Sequence, residues 1–160
     1  MKANNIWCLI VVMLLAISCD KNRVFEEFHK INEKGWHQDS LVSFTFEVND
    51  ATIPYNLSVN IRNTANYKYC NLYYRYYLYD VNGNKLKTEM PEVFLMDPKT
   101  GKPNGDGIAG AFTHTFDIVK NYKFPEKGIY KIKFKQYMRD INLEEIQNIG
   151  FRLEKYSVKQ

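Results

Sequence analysis

The sequence predicts an all-β chain folded as an antiparallel two-sheet β-sandwich, jelly-roll or immunoglobulin-like. It should have about seven or eight strands and one short helix near the C-terminus. Three observations predict it. Apolar and polar residues alternate with a period of two in one segment after another, the pattern of half-buried strands. Turn residues separate these segments. Helical periodicity is almost absent.

The first nineteen residues, MKANNIWCLIVVMLLAISC, follow a different logic. Lys2 supplies a short positive region and Ile6 to Ile17 is an apolar run. A finished membrane span needs about twenty apolar residues, so the run reads as a removable signal over residues 1–18. Cys19 directly follows small residues, as in the lipobox of bacterial lipoproteins. Leu15 sits one place earlier than the commonest arrangement, and Ala16 takes its position. Cys19 is therefore the expected lipidation site. Each buried CH₂ contributes about 0.8 kcal/mol, and one chain holds only reversibly. Two or three acyl chains make the anchor effectively permanent.

Removing residues 1–18 leaves 142 residues (160 minus 18), enough for one domain with a proper core. The expected organisation is a lipidated tether over residues 19–23 and a single sandwich over residues 24–160. Without Lys2 the net charge is about +3 (22 minus 1, minus 18), too weak and too evenly spread to indicate nucleic acid. Cys8 leaves with the signal and Cys19 is lipidated, so only Cys70 remains and no disulfide framework is available. Cys70 reads as a small buried hydrophobe.

The strands follow in order. Val24, Phe25, Phe28 and Ile31 fit a helix face, but in an otherwise all-strand chain a strand is expected here. Val42, Phe44, Phe46 and Val48 alternate with polar residues, as do Tyr55, Leu57, Val59 and Ile61. Leu72, Tyr74, Tyr76 and Leu78 make a third apolar face. Asn82-Gly83 predicts a hairpin turn in which both residues tolerate positive φ, with Leu86, Thr88 and Met90 on the returning strand. Pro91 ends or bulges that strand. Residues 97–110 carry almost nothing apolar and read as a long surface loop. Phe112, His114, Phe116 and Ile118 form the next strand. Phe124 to Gly128 is a turn. Tyr130, Ile132, Phe134 and Gln136 alternate with Lys131, Lys133 and Lys135, lysines that point outward and discourage edge pairing. Asn142-Leu143-Glu144-Glu145 predicts a helix start, with Glu145 reaching back to its cap. Ile149, Phe151 and Leu153 close the domain.

Several segments together resemble the gliding motility lipoprotein GldH family of Bacteroidetes. They are Cys19, Val24-Phe25-Glu26-Glu27-Phe28, Gly35-Trp36, Tyr55-Asn56-Leu57 with Ile61-Arg62-Asn63, and Tyr67 and Tyr69 with Asn71-Leu72. Asp97-Pro98 through Gly101-Lys102, Phe124 to Tyr130, Gln136 to Arg139 and Ile149 to Glu154 complete the set. Their order and spacing carry the resemblance over nearly all the mature chain. It implies a membrane-anchored envelope lipoprotein, a non-catalytic component of the gliding motility apparatus or a related envelope assembly. Of the family's functional residues, only the acylated Cys transfers, onto Cys19.

Nothing in the residues indicates an enzyme. His29, His37 and His114 match no metal or catalytic spacing, and His114 lies on the apolar side of its strand, as a satisfied core histidine would. There is no nucleophile elbow and no phosphate loop. Calcium takes about six to eight oxygens. In the Asp97–Asp106 loop only two candidates are carboxylates, beside Lys99 and Lys102, so no metal and no cofactor is expected.

Tyr73, Arg75, Tyr77 and Tyr79 form the second face of a strand whose first face is already apolar. Exposed, they would make an interaction surface, since Tyr and Arg are enriched at interfaces and aromatic rows also stack on sugars. Cross-strand aromatic pairing that merely stabilises the sheet, or cover from a neighbouring loop, is the plainer account of them. The expected partners are thus the membrane through the lipid anchor and other envelope or motility proteins, with a glycan as the alternative reading and no nucleic acid. Asp39-Ser40-Leu41 resembles the O-glycosylation site of exported Bacteroidetes proteins, with Ser40 as acceptor. The outer membrane's periplasmic face is favoured over the inner membrane.

Overall fold

The computed structural model describes residues 20–157; the signal expected over residues 1–18 and the expected lipidation site Cys19 lie outside the described residues. No helix forms within them. Eight strands have five or more residues, in keeping with the expected number: β1 (Arg23–Lys30), β3 (Val42–Val48), β4 (Tyr55–Thr64), β5 (Asn71–Tyr79), β6 (Lys85–Glu89), β9 (Ala111–Tyr122), β10 (Gly128–Gln136) and β12 (Ile146–Lys155). Four short ones complete the set: β2 (Trp36–His37), β7 (Glu92–Phe94), β8 (Asp106–Ile108) and β11 (Asn142–Leu143).

All pairings are antiparallel. One sheet runs β1-β12-β4-β9-β8. The second runs β3-β10-β5-β6, with β7 also paired to β5. β2 and β11 form a small separate ribbon. The alternation read from the sequence decides the faces. Leu57, Val59, Ile61, Phe151 and Leu153 of the first sheet and Phe44, Phe46, Tyr74, Leu78, Ile132 and Phe134 of the second are all buried. Phe151 is the hinge of this core. Its ring centroid lies 4.9 Å from Phe46, 6.0 Å from Phe25, 6.1 Å from Phe44 and 6.4 Å from Phe134, so one ring touches both sheets. The segment from Val24 forms a strand as expected, β1 over Arg23–Lys30, with Ile31 just beyond it. Phe28 crosses to cover Gly150 on β12, where a Cβ would come within 2.7 Å of its ring. Glycine is required there so that the aromatic ring can lie flat on the neighbouring strand.

Two expectations are corrected. The short helix at Asn142–Glu145 does not form. Asn142 and Leu143 pair instead with His37 and Trp36, Leu143 is fully buried, and Glu145 takes a φ of +67° that no helix permits. A capping box spans only one turn, and an isolated turn is not a stable helix nucleus, so the tertiary pairing wins. Gly35 makes the ribbon possible, because a Cβ there would sit 2.6 Å from the Leu143 carbonyl. The hairpin expected at Asn82-Gly83 forms and pairs β5 with β6, with a positive φ at Gly83 alone. The Asp80 carboxylate accepts from the Asn82 and Asn84 amides and organises the turn. Finally, β10 lies between β3 and β5. Its lysines point outward as expected but guard no edge; the edges of that sheet are β3 and β6.

The expected strand at Phe112 to Ile118 is longer and bulged. Leu57 pairs with Val119 and Ser58 with Asp117, so Ile118 is skipped in the ladder. The extra residue breaks the simple alternation beyond Phe116.

Candidate functional site

β5 alternates as the sequence requires. Leu72, Tyr74, Tyr76 and Leu78 are buried, while Tyr73, Arg75, Tyr77 and Tyr79 are half-buried on the outer face of the second sheet. The pairing with β10 brings a second set of residues beside them. Lys131 faces Tyr79, Lys133 faces Tyr77 and Lys135 faces Arg75. Tyr137, just beyond β10, is exposed and joins the group: its backbone amide donates to the Tyr73 carbonyl. Cations lie over the aromatic rings. The Arg75 guanidinium is 4.6 Å from the Tyr137 centroid, Lys133 Nζ is 5.1 Å from Tyr79 and Lys85 Nζ is 5.3 Å from Tyr77. Such contacts contribute about 0.5–1 kcal/mol each at exposed sites. The Tyr77 and Tyr137 hydroxyls are 3.4 Å apart. That shared hydrogen bond lowers Tyr137 from its ordinary range and raises Tyr77, and the charges of Arg75 and Lys135 add to the fall at Tyr137.

β6 completes the face from the far side. Leu86 of β6 and Met90, the residue after it, are both exposed, and the Met90 sulfur is 3.7 Å from Arg75 Nη2. Sequence reasoning singled out the tyrosine row but missed Tyr137, Lys133 and Lys135 as its companions. The lysine alternation was visible; that β10 is the neighbour of β5 was not.

A second cluster lies where the described chain begins. The Arg152 guanidinium is paired with Asp20, Glu26 and Glu154. The Asn22 amide donates to Asp20 Oδ1, the Arg23 amide to the Asp20 carbonyl, and the Lys155 amide to the Asn22 carbonyl. Asp20 is held below its ordinary range, by the Asn22 amide first and then by Arg152. Burial opposes ionisation of Glu26, but hydrogen bonds from Arg23 and Arg152 and the Arg152 charge outweigh it and keep that carboxyl low. Residues 20–23 are thus tied into the fold.

The three histidines are not brought together. His29 Nε2 lies 3.0 Å from Glu27 and its ring packs on Phe44. His37 Nδ1 accepts from the Asp39 amide. His114 is buried, with Nε2 2.8 Å from Asn63 Oδ1, as a satisfied core histidine should be. In the 97–106 loop, Asp97 Oδ1 accepts from the Lys99 and Thr100 amides and the Thr100 hydroxyl. That carboxylate is occupied by its own loop. Among the described residues no group of three His, Cys, Asp or Glu side chains is placed to hold a metal ion. Cys70 is half-buried against the core, a little less enclosed than expected. Ser40 is exposed in the turn before β3, and its carbonyl accepts from the Trp36 indole.

An open depression of about 670 Å³ lies at the far end of the first sheet, lined by residues including Lys30, Glu33, Arg62 and Glu145. Its charges are mixed, and Glu145 is already engaged by the Thr64 hydroxyl.

Comparison with known proteins gives the following. Residues 23–153 match the family described as GldH lipoprotein. A gliding motility lipoprotein GldH homolog of Christiangramia forsetii is 34% identical, over 96% of this chain and 97% of the relative. The gliding motility lipoprotein GldH of Flavobacterium johnsoniae is 32% identical, over 96% and 98%. Among solved structures, an arabinose-bound α-L-arabinofuranosidase aligns with a TM-score of 0.37 and 14% identity, over 76% of this chain and 18% of that one. An infectious bursal disease virus subviral particle aligns at 0.38 and 12%, over 86% and 34%. At these scores neither structure bears on this chain.

Proposed function

The chain belongs to the GldH lipoprotein family, and on that premise we propose that it is a lipid-anchored, non-catalytic component of the gliding motility apparatus in the cell envelope. The observation that carries this reading is the full-length match to two relatives named for gliding motility and for lipoprotein character. It acts through contacts with other envelope proteins. Its domain sits in the periplasm on the outer membrane.

Cys19 bears the acyl chains. The hydrogen-bonded Asp20–Arg23 segment supports a junction without slack. The end of the sandwich holding both termini then lies next to the bilayer. A ten-residue strand such as β4 rises about 33 Å, so the end carrying the 97–105 loop, which runs into β8, stands well away from it. Ser40 carries an O-linked glycan; intact-mass analysis of native protein should show added hexose, and an unmodified mass rules this out.

The experiment is palmitate labelling in a gliding host. The wild-type protein incorporates label, Cys19→Ser does not, and only the wild type restores colony spreading to a strain lacking the gene. An unlabelled wild-type protein overturns the anchor. A spreading strain without the gene overturns the motility role.

A further inference from the structure

The outer face of β5 and β10 carries more positive charge than the fold can use. Arg75 and Lys135 stand directly opposite each other on neighbouring strands, an arrangement that destabilises a sheet when no anion lies near. Lys135 has a single carboxylate, Asp39, at 3.4 Å. Among the described residues, Arg75, Lys131 and Lys133 form no ion pair.

The rings beneath these cations hold them in place. Arg75 is seated on Tyr137 and Lys133 on Tyr79, so less side-chain freedom remains to be lost when a ligand arrives. The same contacts oppose stacking of a neutral sugar on Tyr77, Tyr79 and Tyr137, whose rings already carry cations; of the row only Tyr73 has none over it. Apolar surface borders the charges: Met90 and Leu86 on one side, and Ile129, 62% exposed, at the start of β10. A peptide with mixed acidic and apolar side chains complements both features. A saccharide complements only the charge.

We propose that this face docks an acidic segment of another envelope protein, with carboxylates meeting Arg75, Lys133 and Lys135 and apolar side chains covering Met90 and Leu86. The proposal rests on the reading of the chain as a non-catalytic envelope component and is independent of the anchor.

The test uses the full lipidated protein in detergent micelles and a fluorescent poly-L-glutamate peptide read by anisotropy. Binding weakens as salt rises, as contacts between exposed charges must. The triple variant Arg75→Ser, Lys133→Ser, Lys135→Ser weakens it by at least about tenfold. A control with the same charge loss elsewhere, Lys34→Ser, Lys99→Ser, Lys102→Ser, leaves it unchanged. Equal loss in both triples, or loss in neither, overturns the proposal. Tighter binding of polygalacturonate, abolished by the first triple alone, reassigns the face to an acidic saccharide and overturns the protein partner. Unchanged unfolding curves show that both variants fold. Palmitate labelling of the same variants reports the anchor separately.

Discussion

His114 shows how one residue can link stability to pH. Its Nε2 faces Asn63 Oδ1, and the Asn63 amide nitrogen donates to the Thr64 carbonyl, which orients the oxygen toward the ring. Nε2 must then donate, and the neutral ring satisfies the site. Burial lowers its pKa below the ordinary 6.5, with Asp106 opposing weakly. A histidine with a lowered folded pKa contributes stability that is complete above the unfolded value and is lost as pH falls through it toward the folded value. Urea unfolding should therefore weaken from pH 7 to pH 5, by at most about 1.4 kcal/mol per pH unit. His114→Gln keeps a donor and cannot titrate, so its curve should be flatter over that interval. Parallel curves would sink the assignment. This histidine's role was legible in the sequence, because it falls on the apolar beat of its strand. Its partner was not, since Asn63 lies 51 positions away.

Elements obey local rules until tertiary contacts outbid them. The period-two runs became strands because each has one face to bury. The Asn142 capping signal failed because Leu143 had a better place, buried opposite Trp36 in the β2–β11 ribbon. The chain's first described segment is the converse case. Residues 20–23 read as a short polar tether, yet Arg152, more than a hundred residues away, ties them down. Arg152→Met keeps the side-chain stem but removes the charge. Limited trypsin digestion should then cut after Lys21 or Arg23 several-fold faster than in the wild type. An unchanged cleavage rate would mean that the segment is held by its backbone bonds alone.

For the molecule as a whole, stability rests on the aromatic seam between the sheets. Phe151 contacts rings from both layers, so Phe151→Ala should destabilise by about 3–5 kcal/mol. The loss should appear as a single shifted transition in urea by both fluorescence and circular dichroism. Two separated transitions would show that the sheets unfold independently. The same architecture separates what is enclosed from what is offered: one face of β5 closes the core while the other, with β10, presents charge and tyrosine to the surroundings.

The order of residues alone determined which side chains face inward in β3, β4, β5, β10 and β12, because strand geometry repeats every two positions and burial there follows hydropathy; Leu86 and Met90 depart from it. It also determined the family, through motifs that here hold turns together: Gln136 bonds the Met138 amide and the Asp140 carbonyl, and the Tyr130 hydroxyl closes its turn on Glu126. Apart from the β5–β6 hairpin, which Asn82-Gly83 marked, only the tertiary structure decided which strands are neighbours. The cationic-aromatic face, the Arg152 cluster and the Trp36–Leu143 ribbon all depend on that choice. Beyond such a hairpin, strand pairing is set by how the sheets enclose a shared core across long stretches of chain, and no local pattern encodes it.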